Sequence, residues 1–558
     1  MLMVITTGQT RRRRARVACN PCRERKRKCN GCSPCETCSN WGYECYYTPN
    51  SQNPKQRTLQ NSVRHPSTSP SLGNSDGSGV VHNPVINQKG VVRNPAANSG
   101  AAFVHKMGLK VDPANAPRLN LFGWNVGARQ LPSGLATGIA LPIVEILALE
   151  DMTRLAEIYF SKVDPCYGFI DKQRFLERLN SRWQPSGRSS THDAVLAGVA
   201  VLGMLFSERT VRVSELHLVE SARSLLEEYD GLTMPSVDLI TGWTLRVVYM
   251  RMTAAPYLTW LASSTLMHLI EAAGLRHEFS DRMEMTRAKC DKDIRRRLVG
   301  VAQHQNMWAS YDLGLSRVSL KIDLSLPISS RPGDYTAELL GLLPISALLD
   351  PEELQDEFNL QWNLVQTLER VHTQPPSVLC QTNLALCILR RLHLLNINTS
   401  PAITDRVLNL FRKALQCAHN MVTNCCPWQH VANVPFHILT ILLEMDTYAS
   451  LALLPEAMQT IKLVARTYNT STMREAYATA RLLIYLYQQR RDRDARLLEN
   501  VLDADLLPNG STQPNSHSLH HTSNFEGMPL LEELIADMPN LQGFDFDQFL
   551  NMDVPWST

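Results

Sequence analysis

Six cysteines between Cys19 and Cys45 follow the spacing C-x2-C-x6-C-x5-C-x2-C-x6-C, through Cys19, Cys22, Cys29, Cys35, Cys38 and Cys45. Thiolates are soft ligands, and at C-x2-C spacing one turn of chain can present two of them to a tetrahedral ion such as Zn²⁺. Disulfides are the competing reading of six cysteines. They belong to small secreted scaffolds, and no stretch before Arg11 has the apolar core and small-residue cleavage site of a secretory leader. Two tetrahedral zincs need eight ligands where six are on offer, so either two thiolates bridge both ions or only one ion is fully bound. The framework repeats itself as Cys19-x2-Cys22-x6-Cys29 and Cys35-x2-Cys38-x6-Cys45, which favours bridging. Cys32 lies outside the repeat and reads as a bystander that could still compete as a ligand.

The two halves of the repeat differ in charge. Arg23-Glu24-Arg25-Lys26-Arg27-Lys28 separates Cys22 from Cys29, whereas Ser39-Asn40-Trp41-Gly42-Tyr43-Glu44 separates Cys38 from Cys45. Residues 1–50 hold ten Lys or Arg against three Glu, a formal +7 before any metal. Six thiolates and two Zn²⁺ would change this by −6 and +4, leaving a basic module of about +5 that suits a polyanion and implies strongly salt-dependent binding.

These residues resemble the binuclear zinc-cluster transcription factors of fungi, in Ala18-Cys19-x2-Cys22-Arg23-x-Arg25-Lys26-x-Lys28-Cys29 and in Cys29-Asn30-Gly31-x2-Pro34-Cys35. The resemblance covers about 30 residues. It implies that two Zn²⁺ ions are bound, that Cys19 and Cys35 bridge them, and that a short helix after Cys22 enters the major groove of double-stranded DNA. It further implies that Lys26 reads guanines of a CGG triplet, with Arg23, Arg25 and Lys28 as neighbouring base or phosphate contacts. The chemistry of the groove agrees, because guanine presents O6 and N7 acceptors there to Lys or Arg donors.

The elements that must position this site divide the chain of 558 residues into six parts. A basic arm, 1–18, carries Arg11 to Arg14 and Arg16, a pattern expected of a nuclear import signal. The zinc-cluster module, 19–45, precedes a span, 46–140, expected to be a disordered linker, since 29 of residues 51–100 are Ser, Asn, Gln, Pro or Gly. No heptad repeat survives in Tyr46 to Leu72, although many such factors pair through a coiled coil there, so monomeric binding and a homodimer through the large domain are both open. From 141 to 503 apolar residues recur at helical spacing, predicting a large all-α regulatory domain. The fold class is thus a small binuclear zinc-cluster module plus an all-α domain, with disordered linkers and tail.

Within the domain, Ile143 to Tyr159 reads as one amphipathic helix, and Leu258, Leu261, Leu266, Met267, Leu269 and Ile270 as a buried one. Helical patterns also fall at 216–229, 384–395, 407–422, 436–453 and 476–487. Pro256 to Leu275, Arg295-Arg296-Arg297 through Trp308, and Tyr311-Asp312 with Gly314-x-Ser316-Arg317-Val318 resemble the regulatory middle-homology region of the same factors, though the usual Gly-Arg-Pro is absent. Arg295 to Arg297 is expected to be a solvated face. The longest nearly unbroken apolar run, Ala194 to Phe206, is 13 residues, short of a membrane span.

The sequence contains no Gly-rich phosphate loop, no H-E-x-x-H and no G-x-S-x-G elbow, which argues against an enzyme. Cys425-Cys426 with Trp428, His430 and His437 could bind metal or sense oxidants, but without C-x2-C spacing they are expected to be buried cysteines and a surface histidine. His517, His520 and His521 lie in a second polar linker, 504–524. The last part, 525–558, has seven Asp or Glu, no Lys or Arg, and Phe525, Phe544, Phe546, Phe549 and Trp556 among them. This is the composition of an acidic activation segment whose apolar faces, such as Pro529 to Met538 if helical, dock into transcription coactivators. The expected function is a nuclear, sequence-specific activator of a catabolic or secondary-metabolite pathway. A repressor or obligate partner with the same DNA module, and a zinc or redox sensor, are the alternatives.

Overall fold

In the computed structural model, residues 18–24, 29, 35–40 and 45 are described for one unit of the chain, Met1–Val81. For the other, His82–Thr558, they are 85–86, 92–93, 100–111, 124–127, 129, 140–275, 291–320, 328–329, 331–350 and 357–505. The basic arm, the 504–524 linker beyond Asp505 and the 525–558 segment fall outside these residues, as do Cys32 and residues 25–28.

In the first unit the sequence repeat becomes a structural one. Helices α1 (Asn20–Glu24) and α2 (Glu36–Asn40) each follow a cysteine, and each opens with the same turn: Arg23 N–H donates to the Cys19 carbonyl and Ser39 N–H to the Cys35 carbonyl, both at 2.9 Å. Five residues cannot hold a helix in water unaided. What surrounds them is a core made of thiols, with Cys19, Cys22, Cys35 and Cys38 buried and Cys29 and Cys45 packed against it.

Among its described residues the second unit is made of helices and connecting turns apart from an antiparallel pair, β1 (Val85–Ile86) and β2 (Val92–Arg93). Helix α3 (Gly100–Val111) buries Phe103, Val104 and Met107 in the main core. These elements, with the segment around Trp124, lie in the span expected to be a linker. Its polar composition ends near Gly100, and Ala101-Ala102-Phe103-Val104 supplies the apolar surface that the preceding residues lack.

The expected helix over 143–159 is two, α4 (Ile143–Ile146) and α5 (Leu149–Lys162). Leu147 is extended at φ −129°, ψ 139°, and its carbonyl accepts from Trp183 Nε1 at 3.1 Å, a bond that periodicity cannot reveal. Then follow α6 (Lys172–Arg182), α7 (His192–Leu205), α8 (Val213–Glu227), α9 (Val237–Thr253) and α10 (Pro256–Ala272). Asp171 and Ser236 cap α6 and α9 by accepting from backbone N–H groups three residues on. The apolar run from Ala194 to Phe206 forms nearly all of α7, which packs on α5, α8 and α9. Gly203 lets α7 approach α5 closely, since a Cβ there would sit 2.4 Å from the Leu155 carbonyl oxygen. On α10, Leu266, Met267 and Ile270 are buried as expected, but Leu258 and Leu261 are 54% and 42% exposed. The buried stripe runs through Pro256, Thr259, Ala262, Ser263, Leu266, Met267 and Ile270, and Leu258 and Leu261 fall off that spacing.

Helix α11 (Lys292–Leu313) begins at Asp291, which caps Asp293 and Ile294, and ends at Gly314 in the left-handed region (φ 68°). Short helices α12 (Thr336–Leu340) and α13 (Leu343–Ala347) lead to α14 (Glu357–Glu369), α15 (Pro375–Leu394), α16 (Pro401–Thr423), α17 (His430–Met445), α18 (Tyr448–Tyr468) and α19 (Ser471–Asp505). The pattern over 436–453 splits because Asp446 turns left-handed (φ 48°) and Thr447 starts α18 with a reciprocal cap to Ser450. One apolar cluster runs from Phe103 to Leu483 and draws on every helix from α3 to α19, α13 through Ile345.

A candidate metal and nucleic-acid-binding centre

The C-x2-C spacing puts the second cysteine of each half one turn beyond the first, so that α1 presents Cys19 with Cys22, and α2 presents Cys35 with Cys38, to the same interior. Their sulfurs are all free thiols. Sγ–Sγ separations are 3.6 Å for Cys19–Cys35, 3.6 Å for Cys19–Cys38, 3.5 Å for Cys22–Cys35, 3.9 Å for Cys22–Cys38 and 3.8 Å for Cys19–Cys29. Four thiolates at about 2.3 Å around a tetrahedral zinc would stand about 3.8 Å apart, so these residues fit that ion. Among the described residues, only two groups of Cys, His, Asp or Glu bring three or more ligand atoms within 4.8 Å of one another, and both lie here: Cys19, Cys22, Cys29 and Cys35, and Cys19, Cys35, Cys38 and Cys45. The groups share Cys19 and Cys35.

Without a cation these thiols compete for charge. Burial pushes the Cys19 and Cys22 thiols up, and Cys38 up to about 12. Burial acts on Cys35 in the same direction, but the Cys38 N–H donates to its sulfur at 3.3 Å and neighbouring thiols donate as well, bringing it down to about 6. Cys45 Sγ likewise accepts from the Cys35 N–H at 3.2 Å. A cluster that can ionise only in part by itself is what a divalent cation completes, because metal charge draws off the remaining protons.

On the outside of this core Arg23 is exposed on α1. Arg25, Lys26 and Lys28, expected to contact DNA beside it, lie outside the described residues.

Two domain families match the chain: the Fungal Zn(2)-Cys(6) binuclear cluster domain over residues 17–54, and the Fungal specific transcription factor domain over 156–302. A protein named Protein RDR1 from Gibberella zeae is 38% identical over 550 residues, 97% of this chain and 99% of that one. Transcription factor kojR from Aspergillus oryzae is 32% identical over 552 residues, covering 98% and 96%. This chain is a fungal zinc-cluster transcription factor. Protein RDR1 from Saccharomyces cerevisiae is 30% identical over 514 residues, 88% of this chain and 92% of that one. The zinc-cluster factor is accordingly a DNA-binding protein and not an enzyme. No described helix is long and apolar enough to cross a membrane.

The second constellation singled out in the sequence is part of the core. His430 and His437 are buried at 4% and 8% exposure, correcting the expected surface histidine, while Cys425 and Cys426 are half-buried. Trp428 packs edge-on against Phe206 and Tyr167. Cys380 Sγ lies 3.6 Å from His430 Nδ1, but burial raises the thiol to about 12 and lowers the imidazole, so both stay neutral and no thiolate forms.

The expected solvated face at 295–297 is corrected too. Arg295 and Arg297 are buried, at 5% and 0% exposure. Arg297 Nε donates to Asp293 at 2.8 Å, and its other nitrogens reach Asp334 and the Ser329 carbonyl. Arg331 donates to Asp293 at 2.7 Å, and the Ser329 N–H at 2.9 Å. Burial works against the Asp293 carboxylate, yet the Ser329 N–H and Arg297 hold it below the usual range. A run of three arginines reads as solvated because, beside the local Asp293, the acid that completes the pairing of Arg297, Asp334, is remote in sequence. Sequence reasoning also missed Arg251, which is 1% exposed, pairs with Asp312 and stacks on Trp124 at 3.8 Å.

Proposed function

We propose that this zinc-cluster factor acts in the nucleus as a sequence-specific activator, with the 19–45 module on double-stranded DNA carrying CGG triplets. The observation that carries the reading is the pair of four-thiol groups sharing Cys19 and Cys35, with Arg23 exposed at their basic edge. In this reading Cys19, Cys22, Cys29 and Cys35 hold one Zn²⁺, Cys19, Cys35, Cys38 and Cys45 hold the second, and Cys19 and Cys35 bridge. The ions would supply the folding energy that two five-residue helices lack and offset the thiolate charge. Lys26 reads guanine, and Arg23, Arg25 and Lys28 take adjacent bases or phosphates. The acidic segment 525–558, rich in aromatics, contacts transcription coactivators.

A fragment spanning residues 1–60 is expected to bind two zincs and to prefer CGG-containing duplexes over scrambled ones. Lys26→Ala should cost about 1–3 kcal/mol on the specific duplex and relax discrimination at one base. Equal loss on specific and random DNA would falsify Lys26 as the reader.

Repression is a second reading, favoured by one relative: a protein from Schizosaccharomyces pombe named as a probable transcriptional repressor is 26% identical over 282 residues, 48% of this chain and 62% of that one. Fusing residues 525–558 to an unrelated DNA-binding domain separates the two. Reporter activation supports the activator, and silence supports the repressor.

A further inference from the structure

A cavity of about 510 Å³ lies against α8 and α9, within the range of roughly 300–1,000 Å³ that holds small organic ligands. Each helix faces it with a regular stripe. Leu216, Val219 and Arg223 stand at i, i+3 and i+7 on α8, and Arg246, Tyr249, Met250 and Thr253 at i, i+3, i+4 and i+7 on α9. The start of α10, from Ala254 through Leu258, and the stretch holding Trp124 and Arg129 complete the wall. Leu258, which is off the buried stripe of α10 and 54% exposed, thus has a place at the rim. Asn125 ties two parts of the wall together without a ligand: its Nδ2 donates to the Ala254 carbonyl at 2.9 Å, and its Oδ1 accepts from the Gly127 N–H at 2.8 Å.

Among the described residues that line it, Arg129, Arg223 and Arg246 are cationic and none is acidic. Two of the three are fully engaged. Arg129 donates to Glu215 and to the carbonyls of Glu208 and Arg209, and Arg223 donates to Glu220 and Glu227. Arg246 is different. Its Nη2 pairs with Glu227 at 2.9 Å and its guanidinium lies over the Trp243 ring at 4.9 Å, but its Nη1 is buried with no hydrogen-bond partner among the described residues. The indole Nε1 of Trp124, a residue only 6% exposed, is in the same condition. Burial works against the Arg246 cation, and Glu227, which Arg223 shares, offsets this only in part. A buried donor without an acceptor is costly, so each of these nitrogens calls for an oxygen. The dipole of α10 adds to the pull, because its N-terminal end meets the wall with no side-chain cap.

We propose that this cavity binds an organic monocarboxylate, with its oxygens accepting from Arg246 Nη1 and Trp124 Nε1 and its apolar body against Leu216, Val219, Met250 and Leu258. Two unclaimed donors match the two oxygens of a carboxylate, whereas a phosphate ester would bring more acceptors than the wall has free donors to meet. The apolar stripes of α8 and α9 demand a hydrocarbon or aromatic body and disfavour a sugar or a free amino acid, whose polar groups would be buried unpaired. The site rests on the packing of the helical domain, and it is measured without DNA, so it stands or falls separately from the DNA reading.

The test is isothermal titration calorimetry of the full-length, zinc-loaded protein with naphthaleneacetate and phenylbutyrate as probes, and with circular dichroism to verify that each variant keeps its helix content. At least one probe is expected to bind saturably with one site per chain, and the neutral alcohol of the same carbon skeleton to bind about tenfold more weakly or worse. Arg246→Met keeps an unbranched apolar stem beside Trp243 and removes the donor; it should weaken the carboxylate about 10- to 100-fold, the loss of one charge-assisted hydrogen bond. Leu258→Glu alters an exposed position that the core does not need, sets a negative charge at the rim, and should weaken binding comparably. Phe358→Glu, at an exposed position of α14 outside the lining, should leave binding unchanged. No saturable binding of either probe, equal binding of acid and alcohol, or binding that survives intact in both Arg246→Met and Leu258→Glu would each overturn the proposal.

Discussion

Arg297→Ala tests whether the network around α11 is structural in the way its burial implies. The guanidinium is fully buried, while the Asp293 and Asp334 side chains are 14% and 12% exposed. Removing it deletes a bond to each carboxylate and one to the Ser329 carbonyl, and Asp334 loses the cation it pairs with. Summing three charge-assisted bonds would overcount, because one desolvation cost is shared; breaking a buried pair by removing one partner costs about 3–5 kcal/mol. For a domain this large that lowers the melting temperature by roughly 5 °C. The assay is chemical denaturation of the full-length protein followed by circular dichroism. Arg297→Lys should recover less than half of the loss, since an ammonium cannot form the fork. The pH dependence has a definite sign. Asp293 is held below its unfolded range, so its contribution is present above about pH 4 and is lost as pH falls further, and the gap between wild type and variant narrows there. A loss under about 0.5 kcal/mol at neutral pH, the value for a solvated side chain, would refute the reasoning.

Asp164 behaves oppositely. Burial, with Asp334 adding, pushes its carboxyl up from 3.8 to about 7. A raised acid binds its proton more tightly when folded, so the stability it contributes is full below about pH 4 and disappears as pH rises to about 7. Asp164→Asn should therefore be more stable than wild type at pH 7.5, by at most about 4 kcal/mol, and equal to it near pH 4; thermal melts at both values check this. In the zinc module, Cys35→Ser should abolish two-zinc binding and unfold the fragment, whereas Cys32→Ser should leave the stoichiometry unchanged, as metal analysis after desalting will read out.

The metal centre was legible because its information is local: ligand spacing alone places Cys19 and Cys22 one turn apart, and the repeat predicts the matching turn at Cys35. The helical class was legible for the same reason, and α7 follows directly from its apolar run. What escaped depends on partners remote in the chain. The break at Leu147 is held by Trp183, the burial of Arg297 by Asp334, and the interior position of His430 by Cys380 and the aromatic contacts of nearby Trp428. Leu258 and Leu261 were misplaced for a different reason, since they were assigned by hydrophobicity where helical phase decides.

The joints at Asp446 and Asn469, each a single left-handed residue, bind α17, α18 and α19 into a run of neighbours whose contacts are close in sequence. The opposite extreme is the Thr470 hydroxyl, which reaches the Val126 carbonyl across 344 positions. Loop closure must precede the second kind of contact and hardly burdens the first. The neighbouring C-terminal helices can therefore pair at little entropic cost, while the stretch holding Trp124 and Arg129 first meets Arg251 and Glu215 and gains its bond to Thr470 only once that residue has been made.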